Sequence, residues 1–190
     1  KNLEMKLDPM RYEHSLSVSY TCVSLAMRYG CDLGKAELAG LLHDCGKRYS
    51  DDIILKKCRK HGIFFTSDEE EAPAVLHANY GAWLAKHKYG IDDPEILSAI
   101  LYHTTGKPEM TALEKIVYIA DYIEPRRYKA DDLPRMRMLA YQDLDETMYR
   151  ILKGTLDYLG KKKGKVALVT LKAFDYYQEI HRKSVIKQED

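Results

Sequence analysis

Apolar residues recur every three to four positions along most of this chain, and no stretch of strand length alternates apolar with polar residues. Such a pattern calls for helices packed on helices rather than a sheet. From Pro9 to Tyr29, Leu16, Tyr20, Val23 and Met27 mark one helical face, and Gly30 supplies a C-terminal stop. Leu38, Leu41, Leu42 and Cys45 repeat the spacing from Gly34 to Lys47, and the Ser50 hydroxyl is placed to cap a third helix. A loop is expected around Gly62 to Glu71. The acidic run Asp68 to Glu71 with Pro73 then opens a helix through Leu76, Tyr80 and Leu84 to Gly90. Asp93 and Pro94 start the next, through Ile96, Leu97 and Ile100 to His103. Thr111 caps another, through Leu113, Ile116, Val117 and Ala120, which Pro125 ends. Met148, Ile151, Leu152, Thr155, Leu156 and Leu159 form a long stripe, followed by a final helix from Val166 to His181.

At 190 residues the chain can fill one hydrophobic core, whereas two complete domains would each be thin. The expectation is a single all-α domain over 1–190, with the chemistry-bearing part at about 9–127 and C-terminal helices at about 133–184. Thirty Lys and Arg against 29 Asp and Glu leave a net charge of +1, so an anionic ligand must be held by local groups. Lys161, Lys162, Lys163 and Lys165 form one basic run, but it surrounds Gly164, lacks interleaved aromatics and reads as a solvated turn. A nucleic-acid partner is therefore not expected. With no apolar leader and no run of some 18 apolar residues, neither secretion nor membrane spanning is expected. Cys22, Cys31, Cys45 and Cys58 lack ligand or disulfide spacing, which fits reduced thiols in the cytoplasm.

The residues that carry chemistry are His14, the adjacent pair His43 and Asp44, His77, His103 and Asp121. Asp121 continues the stripe of Leu113 and Val117, where a carboxylate without a partner would be costly. His103 follows Ile96 and Ile100, and His77 shares a face with Tyr80 and Leu84. Any one of these histidines alone is an ordinary core residue bonded to a carbonyl. Together, four imidazoles and two carboxylates make a mixed N/O donor set for one or two ions of iron, manganese, cobalt or zinc. His61, His87 and His181 read as surface residues.

The order His14, His43-Asp44, Asp121 resembles the pattern of the HD-domain phosphohydrolases. The segments RYEHSLSV (11–18), LLHDCGK (41–47), LHANYGA (76–82), YHTTG (102–106) and IADYIEPRR (119–127) are similar to the YqeK family of bacterial HD proteins. This implies an HD-domain helical bundle with additional C-terminal helices, and symmetrical bis(5'-nucleosyl)-tetraphosphatase activity that cleaves diadenosine tetraphosphate to two ADP. It also implies that His14, His43, Asp44 and Asp121 hold a first metal, with Asp44 bridging to a second held by His77 and His103. Alternatively the last two contact phosphate. Iron is the metal associated with the family.

The expected chemistry is attack by a metal-activated water, with Asp44, Lys47, His77 and His103 as the catalytic set. Arg11, Lys47, Arg126 and Arg127 are the candidate cations for the phosphate chain, and Thr104, Thr105 and Gly106 are further candidate contacts. The alternatives are an HD-type phosphatase of (deoxy)mononucleotides, a slow or non-catalytic nucleotide-binding module, and an RNA binder using the lysine run. The tyrosine-rich end around Phe174, Tyr176 and Tyr177 allows a homodimer or completion of the monomer core.

Overall fold

The structure, a computed structural model, describes residues 3–130 and 132–189. Among these residues there are ten α-helices and no strand: α1 (Pro9–Tyr29), α2 (Leu33–Leu42), α3 (Asp51–Lys60), α4 (Ser67–Glu71), α5 (Leu76–Tyr89), α6 (Pro94–Tyr102), α7 (Ala112–Ile123), α8 (Leu133–Ala140), α9 (Leu144–Lys161) and α10 (Leu168–Glu189). None of them is long and apolar enough to cross a membrane. The all-α expectation holds.

Helix α1 has the expected bounds but not the expected buried face. Tyr20 and Met27 are exposed, whereas Ser15, Val18, Ser19, Cys22, Leu25 and Ala26 are buried. The reason is a close approach to α2: a Cβ on Gly40 would lie 2.8 Å from Cys22 Sγ and 2.9 Å from Ser19 Cα. The small residues bring the two backbones together, and the Ser19 hydroxyl donates to Glu37 O across the contact at 2.8 Å.

Helix α2 ends at Leu42 instead of running to Lys47, so His43 caps it and Asp44 opens a tight turn. The turn packs on α5 at a position only glycine fits, since a Cβ on Gly46 would stand 2.2 Å from His77 O and 2.8 Å from Gly81 N. Ser50 occupies the N-cap of α3, but its side chain makes no capping bond. Part of the expected loop is helical. Thr66 and Glu69 form a capping box that starts α4, and a short 3₁₀ turn at Pro73–Val75 leads into α5.

Helices α1, α2, α5, α6 and α7 enclose the core, α3 covers α5, and α7 carries the α9–α10 pair on its far side. The final helix begins two residues later than expected. Its buried Tyr177 accepts a hydrogen bond from Met110 N, and Asp68 caps its first turn by accepting from Leu168 N at 2.7 Å. Buried apolar residues from Leu3 to Tyr177 form one continuous cluster, so α10 completes this chain's own core.

Candidate metal centre

Three histidines reach one point by the same local device. His43 at the end of α2, His77 in the first turn of α5 and His103 at the end of α6 each direct Nδ1 to the carbonyl three residues earlier, Gly40 O at 2.7 Å, Ala74 O at 2.6 Å and Ile100 O at 2.7 Å. A carbonyl can only accept, so each Nδ1 carries the proton and each Nε2 presents a lone pair. All three rings are buried, and their centroids lie 5.0 Å (His43–His103) and 5.1 Å (His77–His103) apart.

The lone pairs meet groups that cannot satisfy them. His77 Nε2 and His103 Nε2 face each other at 3.2 Å. They stand 3.4 and 3.5 Å from Asp44 Oδ1, and the single Thr104 hydroxyl proton can serve only one of them at 3.1 or 3.0 Å. His43 Nε2 is fully buried without a hydrogen-bond partner, with Asp44 Oδ2 at 3.7 Å and Asp121 Oδ1 at 3.9 Å. Acceptors packed against acceptors in a buried site call for a cation between them. His14, His43 and Asp121 offer ligand atoms within 4.8 Å of one another, as do His43, Asp44 and His103. The donor set therefore fits a divalent ion of N/O preference.

Electrostatics point the same way. Burial pushes the His43 imidazole down to about 4, outweighing the pull of Asp44 and Asp121, so the ring is neutral at physiological pH. Burial also lowers His77. For Asp44, burial raises the carboxyl, but the surrounding His43, His103 and His77 imidazoles and the charge of Lys47 together hold it well below the usual range. Asp121 is likewise depressed, with burial opposed chiefly by the His14 hydrogen bond. Both carboxylates are thus ionised.

His14, on α1, points Nε2 at Asp121 Oδ1, 3.1 Å away, and Nδ1 at Glu124 Oε1, 3.4 Å away. Burial lowers its pKa, but Asp121, Asp44 and Glu124 together raise it. Glu124 is 3% exposed and fixed by the Ser17 hydroxyl at 2.7 Å and the Arg126 backbone N–H at 2.8 Å. It therefore orients a candidate ligand through the nitrogen that the ligand does not use. Sequence reading missed Glu124: a Glu before proline at a helix end looks like surface. Its one legible signal is its place four residues after Ala120, which continues the buried side of α7 to the helix's C-cap. Arg127 fixes Asp121 in turn, donating Nε to its carbonyl and Nη2 to Oδ1, both at 2.9 Å.

A cavity of about 550 Å³ opens over the cluster, lined by Arg11, His14, Asp44, Lys47, Asp121 and Arg127 among others. Arg11 also donates to Asp44 Oδ2 at 2.6 Å. A second cavity, also about 550 Å³, lies on the other side of Lys47 and takes in His77, Thr104, Thr155, Tyr158, Leu159 and Lys165. Lys165, from the basic run, pairs there with Glu71 at 3.0 Å.

Not every residue singled out from the sequence joins the cluster. The Arg126 side chain turns outward to Glu13 and is about half exposed. Buried Thr105 faces a different groove, and Gly106, at φ 64°, packs near Ala173, Tyr118 and Met110 as a helix stop. His61 and His87 are exposed as expected, but His181 is not free on the surface: it bonds Glu146 at 2.7 Å and stacks on Tyr149 at 4.2 Å.

Residues 11–126 match the HD domain. Over 165 residues, 84% of this chain and 85% of the relative, the sequence is 37% identical to a Bacillus subtilis protein described as a symmetrical bis(5'-nucleosyl)-tetraphosphatase. It is 40% identical to a Staphylococcus aureus protein of the same description over 182 residues, 90% and 89% of the two chains. A solved structure from Clostridium acetobutylicum, described as an HD superfamily hydrolase involved in NAD metabolism, superposes with a TM-score of 0.89 at 38% identity over 93% of each chain.

Proposed function

This chain belongs to the HD-domain family, and on that premise we propose that it is a metal-dependent hydrolase that cleaves diadenosine tetraphosphate symmetrically to two ADP. The observation that carries the reading is the set of bare Nε2 lone pairs and ionised carboxylates at the meeting point of two cavities. A dinucleotide cleaved at its centre needs room on both sides of the scissile bond. Each cavity is of the size that small-molecule sites use, and Lys47 lines both.

We assign His14, His43, Asp44 and Asp121 to a first metal, with His77 and His103 either sharing a second through Asp44 or contacting phosphate. Iron is our choice of ion, with manganese, cobalt or zinc compatible with the same donors. Bound there, the metal supplies an acidified water and Lewis-acid charge. Attack on an inner phosphorus breaks its bond to the central bridging oxygen. One ADP leaves with that oxygen, the other gains the oxygen of water, and the water protons pass to solvent.

The chain's own groups do the rest. Lys47 and Arg11 face the cavity with charge to offset the phosphate chain, and Arg127 holds Asp121 in place. Glu124 holds His14, and the Thr104 hydroxyl is within reach of both His77 and His103. Four free thiols are compatible with the cytoplasm, which is where we place the protein.

The test is chromatography of products from diadenosine tetraphosphate and from a panel of deoxymononucleotides, using protein loaded with iron(II) or manganese(II). ADP as sole product, abolished by chelation, supports the proposal. Phosphate from mononucleotides with the tetraphosphate intact would replace it with a phosphomonoesterase, and tight binding without turnover would replace it with a nucleotide-binding module.

A further inference from the structure

On the side of α5 away from the metal cluster, two helix ends bring basic residues together around the single tryptophan. The C-terminal half of α3 with the residue after it supplies Lys56, Lys57, Arg59, Lys60 and His61, and the last turn of α5 supplies Lys86, His87 and Lys88. These two segments hold six of the chain's thirty Lys and Arg and no acidic residue. The near-zero net charge therefore hides a local concentration, which is why composition gave no reason to expect a nucleic-acid partner.

Aromatic rings are interleaved with these cations. His61 stacks on Trp83 at 4.1 Å and 27°, His87 lies 4.7 Å from the same indole, and Lys88 Nζ is 5.9 Å from its centroid. The crowding registers on His61, whose pKa is lowered by burial and then by Lys60, Lys57, Lys88 and His87. Arg59 is paired with Glu70, and Lys57 lies over Tyr49. Among the described residues, Lys56, Lys60, Lys86 and Lys88 have no acidic partner.

Beside this rim runs a groove of about 670 Å³ lined by Phe64, Glu69, Trp83, Lys86, His87 and Tyr102 with their neighbours, and its one carboxylate, Glu69, is engaged by the Thr66 backbone N–H at 2.8 Å. It shares no lining residue with either cavity at the metal cluster. The Phe64 ring is 82% exposed, although its backbone is tied down by Asn79 Nδ2 donating to Phe64 O at 3.2 Å. An anchored aromatic held out in water among unpaired lysines is the combination that binds unpaired bases: flat faces stack on them and ammonium groups meet the phosphates. An acidic peptide would use the lysines but leave the rings without a partner.

We propose that this groove and its lysine rim bind single-stranded nucleic acid, with bases stacked on Phe64 and the exposed imidazoles and phosphates met by Lys60, Lys86 and Lys88.

Because Trp83 is the only tryptophan, intrinsic fluorescence reads the groove directly. The metal-loaded full chain is titrated with oligouridylate at several salt concentrations, with polyglutamate, duplex RNA and phosphatidylserine vesicles as competitors. The expected result is saturable quenching by oligouridylate that weakens with salt at a logarithmic slope of about −2, from three phosphates met. Lys86→Glu with Lys88→Glu should weaken binding at least tenfold, and Phe64→Ala roughly ten- to hundred-fold. Both variants should keep wild-type metal content, melting behaviour and nucleotide turnover, since neither touches the cluster. Absence of quenching at low salt, unchanged binding by the variants, or equal displacement by polyglutamate or vesicles would each overturn the proposal.

Discussion

His77 Nε2 and His103 Nε2 stand 3.2 Å apart while both Nδ1 protons are committed to backbone carbonyls, so two lone pairs point at each other inside the protein. A cation between them removes the repulsion. His77→Ala or His103→Ala should therefore lower bound metal measured by elemental analysis, with the helical circular dichroism retained. Full metal content in the double variant would remove these two residues from the ligand set.

Glu124 reaches the proposed metal site through His14. Glu124→Gln keeps the shape and the bonds to Ser17 and the Arg126 N–H but loses the negative charge facing His14 Nδ1. Metal affinity should fall roughly 10- to 100-fold, the usual cost of losing an outer-shell partner. Competition with a chelator measures it, and affinity equal to wild type would reduce Glu124 to a packing role.

The adjacent arginines should behave differently. Arg127 makes two bonds to Asp121, one of them to the carboxylate, and lines the cavity, whereas Arg126 pairs with Glu13 in solvent. Charge-assisted bonds are worth about 1.5–3 kcal/mol, so Arg127→Ala should reduce kcat/KM by roughly 10- to 100-fold. Exposed pairs are worth about 0–1 kcal/mol, so Arg126→Ala should stay within a few-fold of wild type. Steady-state kinetics on the two variants decide it.

Gly46→Ala should be the most damaging small substitution near the site. Its methyl would meet His77 O at 2.2 Å and Gly81 N at 2.8 Å, both backbone atoms, so the HD turn must move away from α5. A cost of about 3 kcal/mol or more is expected, read as a lowered denaturation midpoint.

Acid should loosen the start of α10 before the core. The Leu168 N–H bond holds the Asp68 carboxyl below its usual value. A depressed carboxyl contributes stability that is present above its unfolded pKa, near 3.8, and is lost as pH falls through the lower folded value. The protection factors of the amides in the first turn of α10, measured against the intrinsic exchange rate at each pH, should fall over that window, and Asp68→Ala should make those protection factors insensitive to pH.

What the sequence made legible followed periodicity and motif. Eight of the ten helices and the caps at Thr111 and Gly30 follow from local chemistry, whereas α4 and α8 do not, and the six candidate ligands stand out because so many inward-facing histidines and carboxylates share one chain. Where reading failed, the cause lay in contacts distant in sequence. The buried face of α1 mixes serine, cysteine and alanine with Val18 and Leu25 because α2 approaches so closely, and a scan for large apolar residues picks Tyr20 and Met27 instead. The early end of α2 depends on Gly46 meeting α5, and the burial of Glu124 depends on Ser17, more than a hundred residues away.

The most direct test is hydrolysis of diadenosine tetraphosphate in ¹⁸O-water, with mass spectrometry of the products from metal-loaded protein. Symmetrical attack at an inner phosphorus predicts ADP alone, with one label for each pair, so unlabelled and singly labelled ADP appear in equal amounts, and none of either forms with Asp44→Asn. Labelled AMP or ATP, or equal turnover by Asp44→Asn, would contradict cleavage at the centre of the substrate by this cluster.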